Sequence, residues 1–220
     1  MHRIGSTALV LLVLTCGLAA HAQDAPAWLR LTHVVPGAPP ATLLVDGVAV
    51  MQSPAATAGD AYLEIAPGTP SIAVEVDGVR SLAEPVHLRS GFRYLAVAHE
   101  AADGSVALVV VPGPAGRLSG TAVSRVVNLV EELTTVRAFL HETCDGRYRM
   151  RASAYGTAAQ WETWEYNHTG AITVCSEDMP LEPPRQRPED GPWILRGRVM
   201  AIYVVRAAST PAVLLVDETP

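Results

Sequence analysis

The sequence predicts an all-β protein built as two tandem Ig-like antiparallel β-sandwich domains, and two observations carry that prediction. Short runs rich in Val, Leu, Ile and Tyr recur between Gly, Pro and Asp, at the spacing of roughly eight to twelve residues that marks a sandwich or barrel. The whole pattern also occurs twice. Arg30-Leu31-Thr32-His33-Val34-Val35 returns as Arg125-Val126-Val127-Asn128-Leu129-Val130, Thr57-Ala58 as Thr157-Ala158, and the run from Gly91 to Val97 as that from Gly197 to Tyr203. Each copy closes on an apolar run, Val106 to Val110 and Ala212 to Val216. Order survives while spacing widens along the chain, as surface loops tolerate at small entropic cost. A period of about 95 residues is too long for a solenoid unit and suits a whole small domain.

The chain opens with Arg3, an apolar run from Ala8 to Leu14, and Ala20-His21-Ala22 before Gln23, the pattern of a secretory signal peptide cleaved after Ala22. Residues 1–22 are therefore set aside from the fold. The run is shorter than the roughly 20 apolar residues a bilayer span needs, and no other stretch is apolar enough, so no transmembrane span is expected in the mature chain. Cys16 raises the alternative of a lipid anchor, although Thr15 stands where a lipoprotein carries a small residue.

The first domain is placed at 28–112. Its strands are expected near 28–35, 42–46, 48–51, 60–66, 71–77, 92–99 and 105–111. Asp46-Gly47 and Asp77-Gly78 are hairpin turns, since glycine takes the positive φ that a primed turn requires, and Asp103-Gly104 is read in the same way. Ile72, Val74 and Val76 alternate with Ala73, Glu75 and Asp77, which sends the branched side chains to one buried face. A Pro/Gly linker at 113–122 refuses regular structure. The second domain, 123–217, repeats the reading with strands near 124–130, 136–142, 147–152, 160–166, 171–176, 199–205 and 211–216. It contains a proline-rich segment from Glu177 to Pro192 that reads as a surface loop.

His33-Val34-Val35-Pro36-Gly37-Ala38-Pro39, then Val45-Asp46-Gly47, then the stretch from Thr57 to Thr69, then Gly91-Phe92-Arg93-Tyr94 resembles the DUF4397 family of bacterial exported proteins. The resemblance spans nearly all of the first repeat and is weaker in the second, where Asn128 stands in place of the histidine and the following prolines are missing. It implies a β-sandwich module on exported or envelope proteins, often in tandem, with no established catalytic activity, and it supplies no site to carry over.

The formal net charge of −6 argues against a nucleic-acid partner, which needs a basic face. Every basic residue is arginine. Cys144 and Cys175 are the mature cysteines, both in the second repeat, and in an exported protein they are expected to form a disulfide. His33, His87, His99, His141 and His168 are scattered without ligand spacing, so neither a metal nor another cofactor is expected. His33 and Asn128 fall at equivalent strand ends, where a polar side chain would bond the loop that follows. There is no G-x-S-x-G elbow.

On the strand Trp161-Glu162-Thr163-Trp164-Glu165-Tyr166, alternation sends Trp161 to one face, aligned with Tyr62 in the core, and Trp164 and Tyr166 to the other. Trp164 and Tyr166, with Trp193 from the proline-rich loop, form either a candidate stacking surface or a cap over a second small core. Arg147, Arg149 and Arg151 line one side of a strand, as edge-protecting charges do, and offer an alternative contact for an anionic polysaccharide. The expected role is that of a non-enzymatic exported module, secreted, periplasmic or on the cell surface, that is structural or binds an envelope glycan or protein. The alternative is a glycan-active hydrolase using Glu162 and Glu165. Oligomeric state is left open.

Overall fold

The computed structural model describes residues 25–35, 37–54, 57–58, 61–114, 122–139, 144, 150–152, 154–164, 172–176, 179–181, 198–207, 210–217 and 219. The expected signal segment, Cys16, Arg147, Arg149, Glu165, Tyr166 and Trp193 lie outside them.

Among these residues there are strands and no helix. The first half forms β1 (Ala27–His33), β2 (Ala41–Val45), β3 (Val48–Ser53), β4 (Thr57–Ala58), β5 (Leu63–Ile65), β6 (Ser71–Val76), β7 (Val79–Arg80), β8 (Glu84–Pro85), β9 (Arg93–Glu100) and β10 (Val106–Pro112). The second forms β11 (Ala122–Asn128), β12 (Val136–Phe139), β13 (Met150–Ala152), β14 (Glu162–Trp164), β15 (Thr173–Ser176), β16 (Met179–Pro180), β17 (Val199–Ala207) and β18 (Thr210–Asp217). The two-residue strands β4, β7, β8 and β16 are too short to leave a periodic signal in the sequence.

Each half is a sandwich with the same topology. In the first, an inner sheet of order β10-β9-β1-β4, with β5 also on β1, faces an outer sheet of order β3-β2-β6-β7, with β8 also on β6. In the second the inner sheet is β14-β11-β17-β18 and the outer sheet β13-β12-β15-β16. The repeat landmarks hold their register: Thr32 pairs with Ala58, and its counterpart Val127 pairs with Ala158. Pairing is antiparallel except once per half, where β1 runs parallel to β9 and β11 to β17. The chain leaves the inner sheet after the first strand, builds the outer sheet, and returns in the original direction, so this parallel pair follows from the crossing between layers.

The Asp-Gly hairpins form as their chemistry requires, with Asp46 at φ 50° and Gly47 at 78°, and Asp77 at 51° and Gly78 at 75°. The β9–β10 connection differs from expectation. Only Gly104 takes positive φ there, and the turn is longer, because Asp103 Oδ1 accepts from the Ser105 amide and the Ala101 amide donates to the Ser105 carbonyl.

Three apolar layers result. Leu29, Leu31, Leu43, Ile72, Val74 and Ala96 fill the first sandwich. Val126, Val136, Met150, Val174, Ile202 and Val204 fill the second. The third joins the halves: Val34, Leu95, Val97 and Val111 pack with Val127, Leu129, Tyr203, Val205 and Val216. The inner sheets are thus covered on both faces, which is why β11 is buried at every position. Of the expected linker, Gly113 docks with its amide on the Arg93 carbonyl at 2.8 Å, and Ala122 already opens β11.

Cys144 and Cys175 are bonded, with Cα atoms 6.0 Å apart, tying β15 to the segment beyond β12. Reduction, or paired replacement by alanine, is expected to destabilise the second sandwich by about 3 to 4 kcal/mol, because the bond closes a loop of 31 residues. Urea unfolding with and without dithiothreitol, followed by tryptophan fluorescence, measures the difference.

Candidate functional site

Strand alternation on β1 sends Leu29 and Leu31 into the first sandwich and Arg30 and Thr32 toward the other half. The repeat places Arg125 on β11 at the equivalent position, and both arginines are buried, at 3% and 1% exposure. A buried guanidinium is tolerated only where its charge and donors are met. The Arg30 guanidinium lies 5.6 Å from the centre of the Tyr62 ring, and that of Arg125 lies 4.2 Å from Trp161. Each also crosses to the opposite half. Arg30 Nη2 donates to the Thr219 carbonyl beyond β18 at 3.4 Å, and Arg125 Nη1 donates to the Pro112 carbonyl at the end of β10 at 2.5 Å. The two copies therefore hold one another through the same residue. Trp161, expected in the core, is instead half-buried, with its ring against Arg125 and lining an open cleft.

A second crossing lies at the far end of β9. His99 is fully buried, its Nδ1 sits 3.1 Å from the Glu100 carbonyl, and its Nε2 sits 3.1 Å from the hydroxyl of Tyr155 in the second half. A carbonyl can only accept, which assigns the proton to Nδ1 and leaves Nε2 to accept from Tyr155. Burial lowers the His99 pKa to about 4, against a weaker upward pull from the Glu100 carbonyl. The Tyr155 hydroxyl is pushed up by burial and then by the negative charges of Glu131 and Glu84.

Asn128 performs the role expected of it, with Nδ2 donating to the Leu133 carbonyl at 2.7 Å and Oδ1 accepting from the Val130 amide at 3.1 Å. His33 does not repeat it. Its ring is buried toward the first sandwich, and burial lowers its pKa against a weaker upward pull from the Ser53 backbone, which lies on the strand before β4 and not in the loop after β1. Cys175 is buried in β15, in its disulfide. Glu162 is half-buried in β14, opposite Ser124, and Trp164 ends that strand opposite Ala122. No three histidine, cysteine or acidic side chains converge on a metal position among the described residues.

Three open clefts of about 660, 410 and 380 Å³ follow one another along β10. Tyr155 lines the first two and Arg125 with Trp161 the third. Sequence reasoning missed this region. Arg30 and Arg125 were visible as repeat landmarks, whereas nothing links His99 to Tyr155, 56 residues away.

A family model described as "Domain of unknown function (DUF4397)" matches residues 27–138, from the first residue of β1 into β12. No curated protein matches the chain.

Arg125→Ala is expected to cost about 3 kcal/mol, the sum of a desolvated cation–π contact and a charged hydrogen bond, and Arg125→Lys to restore little of it because an ammonium lacks the flat face. Chemical denaturation of the three proteins tests this. Acid provides a second test. The unfolded chain takes up a proton on His99 near pH 6.5 and the folded chain only near 4, so its contribution is complete above 6.5 and falls away by about 3 kcal/mol as pH drops to 4. Melting temperatures of wild type and His99→Gln between pH 7 and 4 should show a shallower decline in the variant.

Proposed function

The chain belongs to the DUF4397 family, and from that premise we propose that it is an exported, non-enzymatic β-sandwich module of the bacterial envelope or extracellular space, structural or binding toward a glycan or a protein. The observation that carries this reading is the reciprocal seam. Arg30, Arg125 and His99 are buried groups of the kind that charge-stabilising or proton-transfer chemistry would draw on, and ring faces, carbonyls and Tyr155 engage them in joining the halves. What such a framework offers a ligand is a stiff surface with clefts along it. Export is supported by the Arg3, Ala8-to-Leu14 and Ala20-His21-Ala22 pattern, and by a disulfide of the kind an oxidising compartment maintains.

Expression of the full chain in a bacterial host should give an exported protein beginning at Gln23. Screened against envelope glycans and peptides, it should bind without turnover, and the Glu162→Gln, Glu165→Gln double variant should behave like wild type. Hydrolysis of a glycan that drops by several decades in the double variant would establish the enzyme instead. Fatty-acid incorporation at Cys16 would establish a lipid-anchored form.

A further inference from the structure

Strand β10 is the edge of its inner sheet among the described residues. Its pairing with β9 fixes which main-chain groups face outward. The Gly113 amide bonds the Arg93 carbonyl and the Ala101 amide the Ser105 carbonyl, so by alternation residues 105, 107, 109, 111 and 113 turn toward β9. Val106, Leu108 and Val110 turn their N–H and C=O groups away, and no described residue bonds them. Pro112 follows in the same phase, and its outward carbonyl is the one Arg125 takes.

An apolar edge of this length that the described residues leave unpaired is a liability that proteins ordinarily blunt. The other edges here are blunted. The β2–β3 pairing is broken by a register shift at Leu43/Leu44; β4, β5, β7, β8 and β16 are two or three residues long; β13 carries Arg151, β14 carries Glu162, and β18 carries Pro211. β10 carries no charge, no bulge and no proline before its last residue. It is instead recessed. The three clefts run along it in sequence, walled on one side by Glu84 to His87 from the outer sheet and on the other by Tyr155 to Trp161 from the second half.

We propose that this groove takes an extended peptide segment of a partner protein, which adds to β10 as an antiparallel strand and carries an arginine or lysine at its C-terminal end. This rests on the reading of the chain as a binding module. Strand addition supplies affinity through the main-chain groups of Val106, Leu108 and Val110. Charge sets the partner's chemistry and direction. Glu84, Asp103 and Glu131 rim the cleft at the Val106 end, whereas Arg80, the cation there, is engaged by Glu75 at 3.1 Å. A strand antiparallel to β10 brings its C-terminal end to that acidic rim. A second copy of this chain is the poorer occupant, because its net charge is also −6.

The test uses the mature protein and a synthetic peptide of about eight residues, alternating valine and threonine and ending in two arginines, with binding read by calorimetry. Affinity should fall at least tenfold when alternate amides are N-methylated in one phase and hold in the other. It should also fall when the arginines move to the N-terminus. Glu84→Lys with Glu131→Lys should weaken this peptide tenfold or more and strengthen one ending in two glutamates. Leu108→Pro, which removes an outward donor and leaves the β9 ladder intact, should also abolish binding. The charge-reversed protein, altered only at exposed side chains, keeps the question answerable if Leu108→Pro fails to fold. Absence of peptide binding, or binding indifferent to methylation phase and to rim charge, overturns the proposal. Retained binding of envelope glycans in that case would leave the broader reading standing, and loss of both ligand classes would end the binding reading too.

Discussion

The structure depends on a single constraint: both inner sheets are covered on both faces. A sheet in an isolated sandwich can leave one side to water, but here β1, β9, β11 and β17 each send one set of side chains into their own sandwich and the other set into the seam. Burying two faces removes the usual place for a polar side chain on a central strand. Polar residues remain there nonetheless, and three of them, Arg30, Arg125 and His99, find partners in the opposite copy. Apolar packing brings the sheets together, and the buried polar groups fix their register, since a guanidinium off its ring and carbonyl would be a charge stranded in a dry layer.

The same constraint explains the placement of the clefts. Where the inner sheets meet squarely, side chains fill the space. Along β10 the sheet ends before the second half does, and the Tyr155-to-Trp161 segment overhangs the strand edge without closing on it. A side chain at Gly156 would rest against Val109, and φ of 70° at that residue suits glycine. The framework is therefore closely packed in its body and open at one margin, the division of labour that the proposed binding role would use.

The strands were legible in the sequence because Asp-Gly turns and prolines punctuate them and because alternation holds in outer strands such as β6. The seam was also written there, in a form easy to pass over. Leu95-Ala96-Val97-Ala98, Val106 to Val111 and Ala201 to Val205 do not alternate, and an unbroken apolar strand is the mark of burial on both sides. Arg30 and Arg125 were recognisable as equivalent positions, but their pairing across the seam depends on how the sandwiches meet, which no local pattern encodes. Trp164, Tyr166 and Trp193 stood out because aromatic residues are few, whereas the groove along β10 is made largely of main-chain groups, and these leave no compositional trace.

The crossed arginines have a consequence for assembly. Two like units that each finish the other's contacts are the geometry of a twofold dimer, in which the joint forms only when protomers meet. Carrying both units on one polypeptide replaces that encounter with a tethered one at high effective concentration, so dilution cannot part them. Tethering also frees the copies to diverge, so that Tyr62 and Trp161 now serve one role with different rings, and only one copy has acquired a cystine.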